Sequence, residues 1–138
     1  MSDDITRTLV REIRFLKQRV ARLEGSEYVA QAGSLRCPRG DEKTLDSDGA
    51  ISVDSSDFWI LVDTYEDAAS DDLVTIDGGT DGQILIIQTT NSVRDVVVKD
   101  EGDNIKCGGD ITLGDSTDRM VLLCLDGSTW YRLCNADN

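Results

Sequence analysis

Apolar residues recur every three or four positions at the start of the chain, whereas from about residue 44 they form short runs. Near the N-terminus, the large aliphatic residues are spaced alternately four and three residues apart: Leu9, Ile13, Leu16, Val20 and Leu23. This spacing averages about 3.5 residues and predicts a helix with one narrow apolar seam, as in helices that pack on copies of themselves. We therefore predict a self-associating helix near the N-terminus.

Charged residues beside this seam fit a parallel assembly of identical helices. In such an assembly, Glu12 would meet Lys17 of a neighbouring chain and Arg19 would meet Glu24, and both pairs have opposite sign. The alternative is an ordinary amphipathic helix that lies on its own domain. The pattern covers only about two and a half heptads and leaves that alternative open. We expect self-association because the other helical positions carry long charged side chains that suit solvent.

The number of helices in the assembly rests on two opposing signals. In a seven-residue helical repeat labelled a to g, Ile13 and Val20 occupy a positions and Leu9, Leu16 and Leu23 occupy d positions. Ile or Val at a with Leu at d favours a coiled coil of two helices. The run from Arg19 to Glu24, however, resembles the arginine–apolar–glutamate motif associated with short three-stranded coiled coils. We follow the motif and predict a homotrimer. The predicted oligomerisation residues are Leu9, Ile13, Leu16, Arg19, Val20, Leu23 and Glu24.

Beyond residue 44, short runs of Val, Ile and Leu are separated by Gly, Asp, Asn or Ser. Nine of these runs are predicted to be strands: Ala50–Val53, Phe58–Asp63, Leu73–Ile76, Ile84–Gln88, Asp95–Lys99, Ile105–Cys107, Asp110–Leu113, Met120–Leu125 and Trp130–Cys134. Strands about ten residues apart with Gly-containing turns predict an antiparallel sandwich or barrel. Asp126-Gly127, between the last two runs, predicts a hairpin.

Three runs are apolar at consecutive positions, namely Ile84–Ile87, Val96–Val98 and Val121–Leu123. A sheet with one face in water would alternate apolar and polar residues. We therefore predict that another subunit covers the second face. The fold class predicted is mainly β, with an N-terminal α-helical trimeric coiled coil followed by an antiparallel β-sandwich or jelly-roll-like domain trimerised about the same axis. The predicted segments are a helix over 1–25, a Gly- and Pro-punctuated linker over 26–43 and a β-domain over 44–138.

Charge is unevenly distributed along the chain. Residues 1–24 carry six basic and four acidic side chains, whereas residues 25–138 carry eight basic and 23 acidic ones, within a formal net charge of −13. Residues 25–138 are so acidic that they should repel nucleic acid and anionic lipid, because proteins bind both through clustered Lys and Arg side chains. No apolar run is long enough to cross a membrane, and the N-terminus lacks the apolar region of a signal peptide. We expect neither a nucleic-acid partner nor membrane insertion.

Catalytic and metal-binding signals are weak. The sequence has no His, so the commonest general base and metal ligand is missing. Acidic turns at Asp100–Asn104 and at Asp115–Asp118 could offer oxygen ligands to calcium, or could be solvated turns. We predict no enzyme activity, no catalytic residues, no cofactor and no metal site.

The four cysteines are Cys37, Cys107, Cys124 and Cys134. None forms a Cys-x-x-Cys pair, and three of them lie in or beside apolar runs, where a thiol behaves as a small apolar side chain. Free buried thiols and disulfides both remain open.

Several segments of the β region resemble a recurrent phage module. The matching segments are Ala69–Leu85, which contains Gly78-Gly79-Thr80-Asp81-Gly82, together with Val97–Asp100, Asn104–Lys106, Gly109–Leu113 and Leu125–Trp130. They are similar to the C-terminal β-domain of many bacteriophage and prophage fibre and virion-surface proteins. In that module a glycine-rich turn precedes apolar strands, and the chain ends in an Asp-Gly-x-x-Trp hairpin. The resemblance covers about residues 44–138.

This resemblance implies a trimeric, mainly β head on a helical stalk, without enzymatic chemistry. We expect a bacteriophage virion structural protein, a homotrimeric surface fibre or capsid decoration protein that is made in the host cytoplasm and located on the virion surface. Its N-terminal region would contact other virion proteins of the capsid or tail. The alternative is a receptor-binding tail-fibre adhesin that recognises a host surface glycan or protein.

Overall fold

The structure is a computed structural model that describes residues 2–24 and 36–137, with side chains described for residues 3–19 and 36–137. The chain divides into an N-terminal unit, Met1–Arg36, and a β unit, Cys37–Asn138. The N-terminal unit contains helix α1, Ser2–Glu24, with Asp3 and Asp4 in its first turn. These carboxylates stabilise the helix because they lie at the positive end of its dipole.

Eleven short strands form the described part of the β unit. They are β1 (Arg39–Thr44), β2 (Ala50–Val53), β3 (Trp59–Asp63), β4 (Ser70–Leu73), β5 (Thr75–Gly78), β6 (Ile84–Thr89), β7 (Asp95–Val98), β8 (Ile105–Lys106), β9 (Ile111–Leu113), β10 (Arg119–Leu125) and β11 (Thr129–Ala136). A short 3-10 turn at Tyr65–Asp67 lies between β3 and β4.

The strands belong to three sheets, and the chain passes from one sheet to another as it advances. The first sheet has the order β1-β3-β6-β10-β11-β8, the second pairs β2 with β5, and the third has the order β4-β7-β9. Strands β1, β3 and β6 pair in parallel, as do β2 with β5 and β4 with β7. Ala50 pairs with Thr75 and Ser70 pairs with Asp95, so each strand lies beside the strand one coil later. The arrangement is β-solenoid-like.

Aliphatic side chains from all three sheets fill the interior of the β unit. The buried apolar residues are Leu45, Ile51, Val53, Ile60, Val62, Leu73, Ile76, Leu85, Ile87, Val96, Val98, Ile105, Cys107, Leu113, Met120, Leu122, Cys124 and Trp130. Along a strand these residues occupy alternate positions because successive side chains point to opposite faces of a sheet. Stacked coils therefore form one continuous core.

Asn104 closes the edge of the short second sheet. Its side-chain oxygen accepts a hydrogen bond from the backbone N–H of Ile76 at 3.0 Å, and its amide nitrogen donates to the carbonyl oxygens of Ile76 at 2.7 Å and Ser128 at 2.9 Å. The side chain thus satisfies backbone groups of β5 that would otherwise pair with a further strand.

The predicted antiparallel sandwich or jelly roll is wrong. Most described strand pairs between successive coils are parallel, and antiparallel pairing is confined to β6 with β10, β7 with β9, and β10 with β11. The antiparallel prediction requires chain reversals at the Gly and Asp breaks, but most of these breaks turn the chain from one sheet to the next. The hairpin predicted at Asp126-Gly127 is confirmed: both residues have positive φ, 59° and 68°, as tight hairpin turns require.

The predicted trimeric coiled coil followed by a sandwich is also wrong as a description of the fold. The described residues contain a single helix of 23 residues and no long coiled-coil helix. Strand β1 begins at Arg39, within the stretch assigned to the linker, whereas residues 26–35 of that stretch lie outside the described residues. The sequence of β1, Arg-Gly-Asp-Glu-Lys-Thr, has no apolar residue, and β1 forms an exposed edge of the first sheet.

A cross-strand disulfide tests the parallel register directly. Ser52 and Asp77 are exposed partners in the pairing of β2 with β5. Neighbouring strands lie about 4.8 Å apart, within reach of a disulfide, so the double variant Ser52→Cys/Asp77→Cys should form this bond on mild oxidation. We expect the oxidised form to be about 2–4 kcal/mol more stable than the reduced form. Peptide mass spectrometry identifies the bonded pair.

The matched control for this experiment is Ser52→Cys/Asp72→Cys, in which the second cysteine lies on the third sheet. Equal cross-linking in both variants, or none between positions 52 and 77, would contradict the solenoid register.

Candidate assembly surfaces

Apolar side chains along one face of α1 are in contact with solvent. Leu9, Ile13 and Leu16 are 55%, 51% and 57% exposed. Residues four and three positions apart lie on the same side of a helix, so these three side chains form one continuous stripe, called here the helix stripe. Most helices in proteins gain their stability from packing of an apolar face rather than from intrinsic helix propensity. The helix stripe is therefore a candidate contact surface.

The remaining predicted oligomerisation residues follow the stripe toward the C-terminal end of the helix. Arg19 is exposed. The side chains of Val20, Leu23 and Glu24 lie outside the described residues, so the pairing of Arg19 with a neighbour's Glu24 stays a prediction.

Two further charged residues border the helix stripe. Glu12 and Lys17 are exposed, and no ion pair within residues 3–19 and 36–137 includes either of them. Both are therefore available to a partner helix, where their opposite charges match.

The second candidate surface is the outer face of the six-stranded sheet. We define this apolar sheet face by the residues Trp59, Leu61, Ile84, Ile86, Val121, Leu123, Tyr131 and Cys134. Cross-strand partners point to the same side of a sheet. Ile86 pairs with Trp59 and Val121, and Leu123 pairs with Ile84 and Tyr131. Apolar side chains therefore continue across β3, β6, β10 and β11.

Large apolar side chains on β6 and β11 are among the most exposed of this sheet. Ile84 and Tyr131 are 39% and 41% exposed, and Leu133, an extra residue in β11 where the pairing register shifts, is 54% exposed. No acidic residue interrupts the face between β6 and β11. Exposed contiguous apolar surface of this kind marks sites of protein–protein contact.

Trp59 is held in place on the apolar sheet face by polar neighbours. Its indole N–H donates to the side-chain oxygen of Gln88 at 3.1 Å, and the guanidinium of Arg119 lies 5.5 Å from the ring centroid. One face of the indole ring is thus covered by a cation. Trp130, in contrast, is fully buried in the core, so it presents no surface on which a sugar could stack.

The outward positions of the other two sheets are mainly polar. On the second sheet, Ser52 and Asp77 are exposed, and on the third sheet Asp72 and Thr112 flank Val97. Apolar outer surface is therefore concentrated on the first sheet. Two of the three doubly apolar runs, Ile84–Ile87 and Val121–Leu123, lie side by side there.

The acidic turns considered as calcium ligands bind backbone groups instead. The Asp100 carboxylate accepts hydrogen bonds from the backbone N–H groups of Cys107 at 2.8 Å, Gly108 at 3.0 Å and Gly109 at 2.9 Å. The hydrogen bonds from the backbone N–H groups of Cys107 and Gly108 contribute most to lowering the pKa of Asp100 below its usual value, because they stabilise the charged carboxylate. Asp118 similarly accepts the backbone N–H of Gly114 at 2.9 Å.

All four cysteines are free thiols. Cys107 and Cys124 are buried, and burial is the main cause that raises the pKa of both thiols. Such thiols act as small apolar core residues and react slowly. Cys134 is exposed on the apolar sheet face, and Cys37 is half-buried.

Comparisons with known proteins do not identify the chain: no protein-family model, curated protein or solved structure matches it. Within residues 2–24 and 36–137, no helix combines the length and apolar character needed to cross a membrane. The same residues contain no group of three or more Cys, Asp or Glu side chains arranged to hold a metal ion.

The sequence contained part of the signal for the apolar sheet face. Consecutive apolar residues in β6 and β10 predicted a second apolar face on those strands. Trp59, Leu61 and Tyr131 were not assigned to that face, because their outward orientation depends on which strands pair. Val97 belonged to a doubly apolar run but lies between polar neighbours on another sheet.

Replacement of Asp100 by Asn should make stability depend less on pH. The native pKa of Asp100 is lowered, so its stabilising effect is complete above the unfolded value of about 3.9 and is lost as the pH falls through the native pKa. Asp100→Asn should therefore lower the thermal unfolding midpoint by roughly a few degrees at pH 7, and the difference should shrink in acid. Thermal unfolding at neutral and acidic pH measures this.

The matched control is Asp48→Asn, because Asp48 is exposed and no described hydrogen bond reaches its carboxylate. An equal effect of both variants at every pH would show that the backbone hydrogen bonds to Asp100 are not responsible.

Proposed function

We propose that this protein is a non-enzymatic bacteriophage virion structural protein, a homotrimeric surface fibre or decoration protein that projects an acidic β head. The observation that carries the proposal is the apolar sheet face. A monomer would expose apolar side chains across four adjacent strands, with Ile84 and Tyr131 39% and 41% exposed. Burying this surface against other copies removes it from water, which is favourable in proportion to the apolar area covered.

A second copy of the chain is the occupant that the charges favour. The helix stripe is bordered by Glu12 and Lys17, which complement the same residues of a parallel neighbour. The β unit carries most of the negative charge, yet β6, β10 and β11 present no carboxylate on the apolar sheet face. Copies can therefore meet there without burying carboxylates, which would be costly, and the charge of Arg119 lies over the Trp59 ring beside this contact. The resemblance of the run from Arg19 to Glu24 to a trimer motif supports three copies rather than two.

The virion assignment is supported by the resemblance of residues 44–138 to the C-terminal β-domains of phage fibre proteins. It also agrees with the polar outer faces of the second and third sheets, where Ser52, Asp72 and Asp77 are exposed. A strongly acidic exterior keeps a particle soluble and reduces non-specific adhesion. The carboxylates of Asp100 and Asp118 in the two acidic turns accept hydrogen bonds from backbone N–H groups, which supports a structural role for these turns.

Sedimentation equilibrium tests the assembly. The full chain should sediment as three copies, and Leu123→Glu should weaken this association by at least about tenfold, since it introduces a buried charge at the interface. Leu9→Glu/Leu16→Glu should have a similar effect through the helix stripe. The controls are Thr112→Glu, on the outer face of the third sheet, and Gln18→Glu, on the opposite side of the helix.

A chain that remains monomeric at micromolar concentration would overturn the proposed assembly. So would equal dissociation by Leu123→Glu and Thr112→Glu, provided that circular dichroism shows both variants to be folded.

Gold-labelled antibodies against the β unit test the virion assignment. In electron micrographs of purified particles of the phage that encodes this chain, the antibodies should label the capsid surface or the tail at regular positions. Absence of label from particles, with the protein present in the infected cell, would exclude a virion component. If labelled trimer also binds host cells, and substitutions in head loops abolish that binding, the protein is an adhesin rather than a passive surface protein.

A further inference from the structure

A row of arginines lies on the side of α1 opposite the helix stripe. Arg7, Arg11 and Arg14 are four and three residues apart, so their side chains project from one side of the helix. Gln18 continues the row toward the C-terminal end. We call Arg7, Arg11 and Arg14 the arginine row.

The charges of the arginine row have no partner in the described part of the chain. All three arginines are exposed, and no ion pair within residues 3–19 and 36–137 includes any of them. Asp3 and Asp4, in the first turn of the helix, are the acidic residues on this side, and both lie within one turn of Arg7. The row is therefore a local concentration of positive charge on a chain whose net charge is −13.

An aromatic side chain accompanies the arginine row. Phe15 is 66% exposed, and it lines the same shallow surface depression as Arg11 and Arg14. Phe15 is displaced by about a quarter turn or more from the helix stripe, so packing of the stripe against another helix does not by itself cover it. The helix thus presents a second surface that combines three cations with one large apolar group.

We propose that the arginine row and Phe15 bind an acidic protein surface that has an apolar pocket for the phenyl ring. This inference rests on the proposed function, in which the helix stripe faces other copies and the arginine row faces outward. The partner would be the component that anchors the trimer. Arginine binds carboxylates through two parallel hydrogen bonds, and arginine and aromatic residues supply much of the binding energy in protein interfaces.

Nucleic acid and membrane surfaces fit this composition less well. Each helix face offers three arginines, whereas proteins that bind DNA strongly make roughly six to ten phosphate contacts, and a phosphate backbone offers no pocket for Phe15. A helix lying in a membrane surface inserts its apolar face into the lipid, and here that face is the helix stripe, which other copies cover in the proposed trimer. An acidic protein surface with an apolar pocket can contact both the arginine row and Phe15.

Fluorescence anisotropy with labelled probes tests the proposal on the full-length chain. The probes are a polyglutamate peptide, an acidic peptide of equal length with leucine at every third or fourth position, a short DNA duplex and phosphatidylglycerol vesicles. The leucine-containing acidic peptide should bind most tightly, and its affinity should fall as salt rises. Arg11→Glu/Arg14→Glu should weaken binding by about tenfold or more, and Phe15→Ala should remove the preference for the peptide with leucine.

The control is Arg36→Glu, a charge reversal at an exposed residue outside the helix. Sedimentation of the Arg11→Glu/Arg14→Glu variant separates this inference from the proposed assembly, because the variant should keep the native number of copies. Tighter binding of DNA or vesicles than of either peptide would overturn the proposed partner. No binding of either peptide at low salt, an equal loss with Arg36→Glu, or dissociation of the charge-reversal variant would overturn it as well.

Discussion

Packing of aliphatic side chains between the three sheets is the interaction on which the rest of the β unit depends. Each coil contributes inward residues such as Ile60 and Leu73, and the next coil places Ile87 and Val98 beside them. Because the coils stack in parallel, an inward position in one coil requires an inward position in the next. The core therefore fixes which side of every strand faces outward, and with it the composition of each outer face.

The outer faces are consequently unequal. The first sheet has apolar residues on both sides, whereas the other two sheets have polar residues outside. The six strands of the first sheet include the antiparallel β10 and β11, which extend it beyond the parallel stack. That extension adds Val121, Leu123 and Tyr131 to the outer row begun by Trp59 and Ile86. Exposed apolar side chains that continue across several strands are typical of a site of protein–protein contact, and the proposed self-association would cover them.

Local sequence patterns predicted the strands better than their pairing. Runs such as Ile84–Gln88 and Met120–Leu125 were located because apolar residues mark buried strands, and Asp126-Gly127 marked a hairpin because both residues tolerate positive φ. Parallel stacking was missed because the pairing partner of a strand lies a whole coil away, and Gly-Asp breaks look alike whether they reverse the chain or turn it toward another sheet. The edge strand β1 was missed because it carries no apolar residue.

The acidic residues were harder to interpret from sequence than the apolar ones. Asp100 and Asp118 looked like surface charges or cation ligands, yet their carboxylates accept backbone N–H groups and shape turns. Asn104, grouped with them, terminates a sheet edge. These roles depend on backbone groups that only the folded chain brings within hydrogen-bonding distance. The helix was the opposite case, since its spacing predicted the face that carries Leu9, Ile13 and Leu16.

Thiol reactivity is the most direct test of whether other copies cover the apolar sheet face. In the single chain Cys134 is exposed on this face, whereas Cys107 and Cys124 are buried in the core. The native full-length chain is treated with an alkylating reagent, and the rate at each cysteine is measured by mass spectrometry against the denatured chain. If the face is covered, Cys134 reacts nearly as slowly as Cys107 and Cys124. If Cys134 reacts as fast as in the denatured chain while the two core thiols stay protected, the apolar sheet face is open to solvent and no interface covers it.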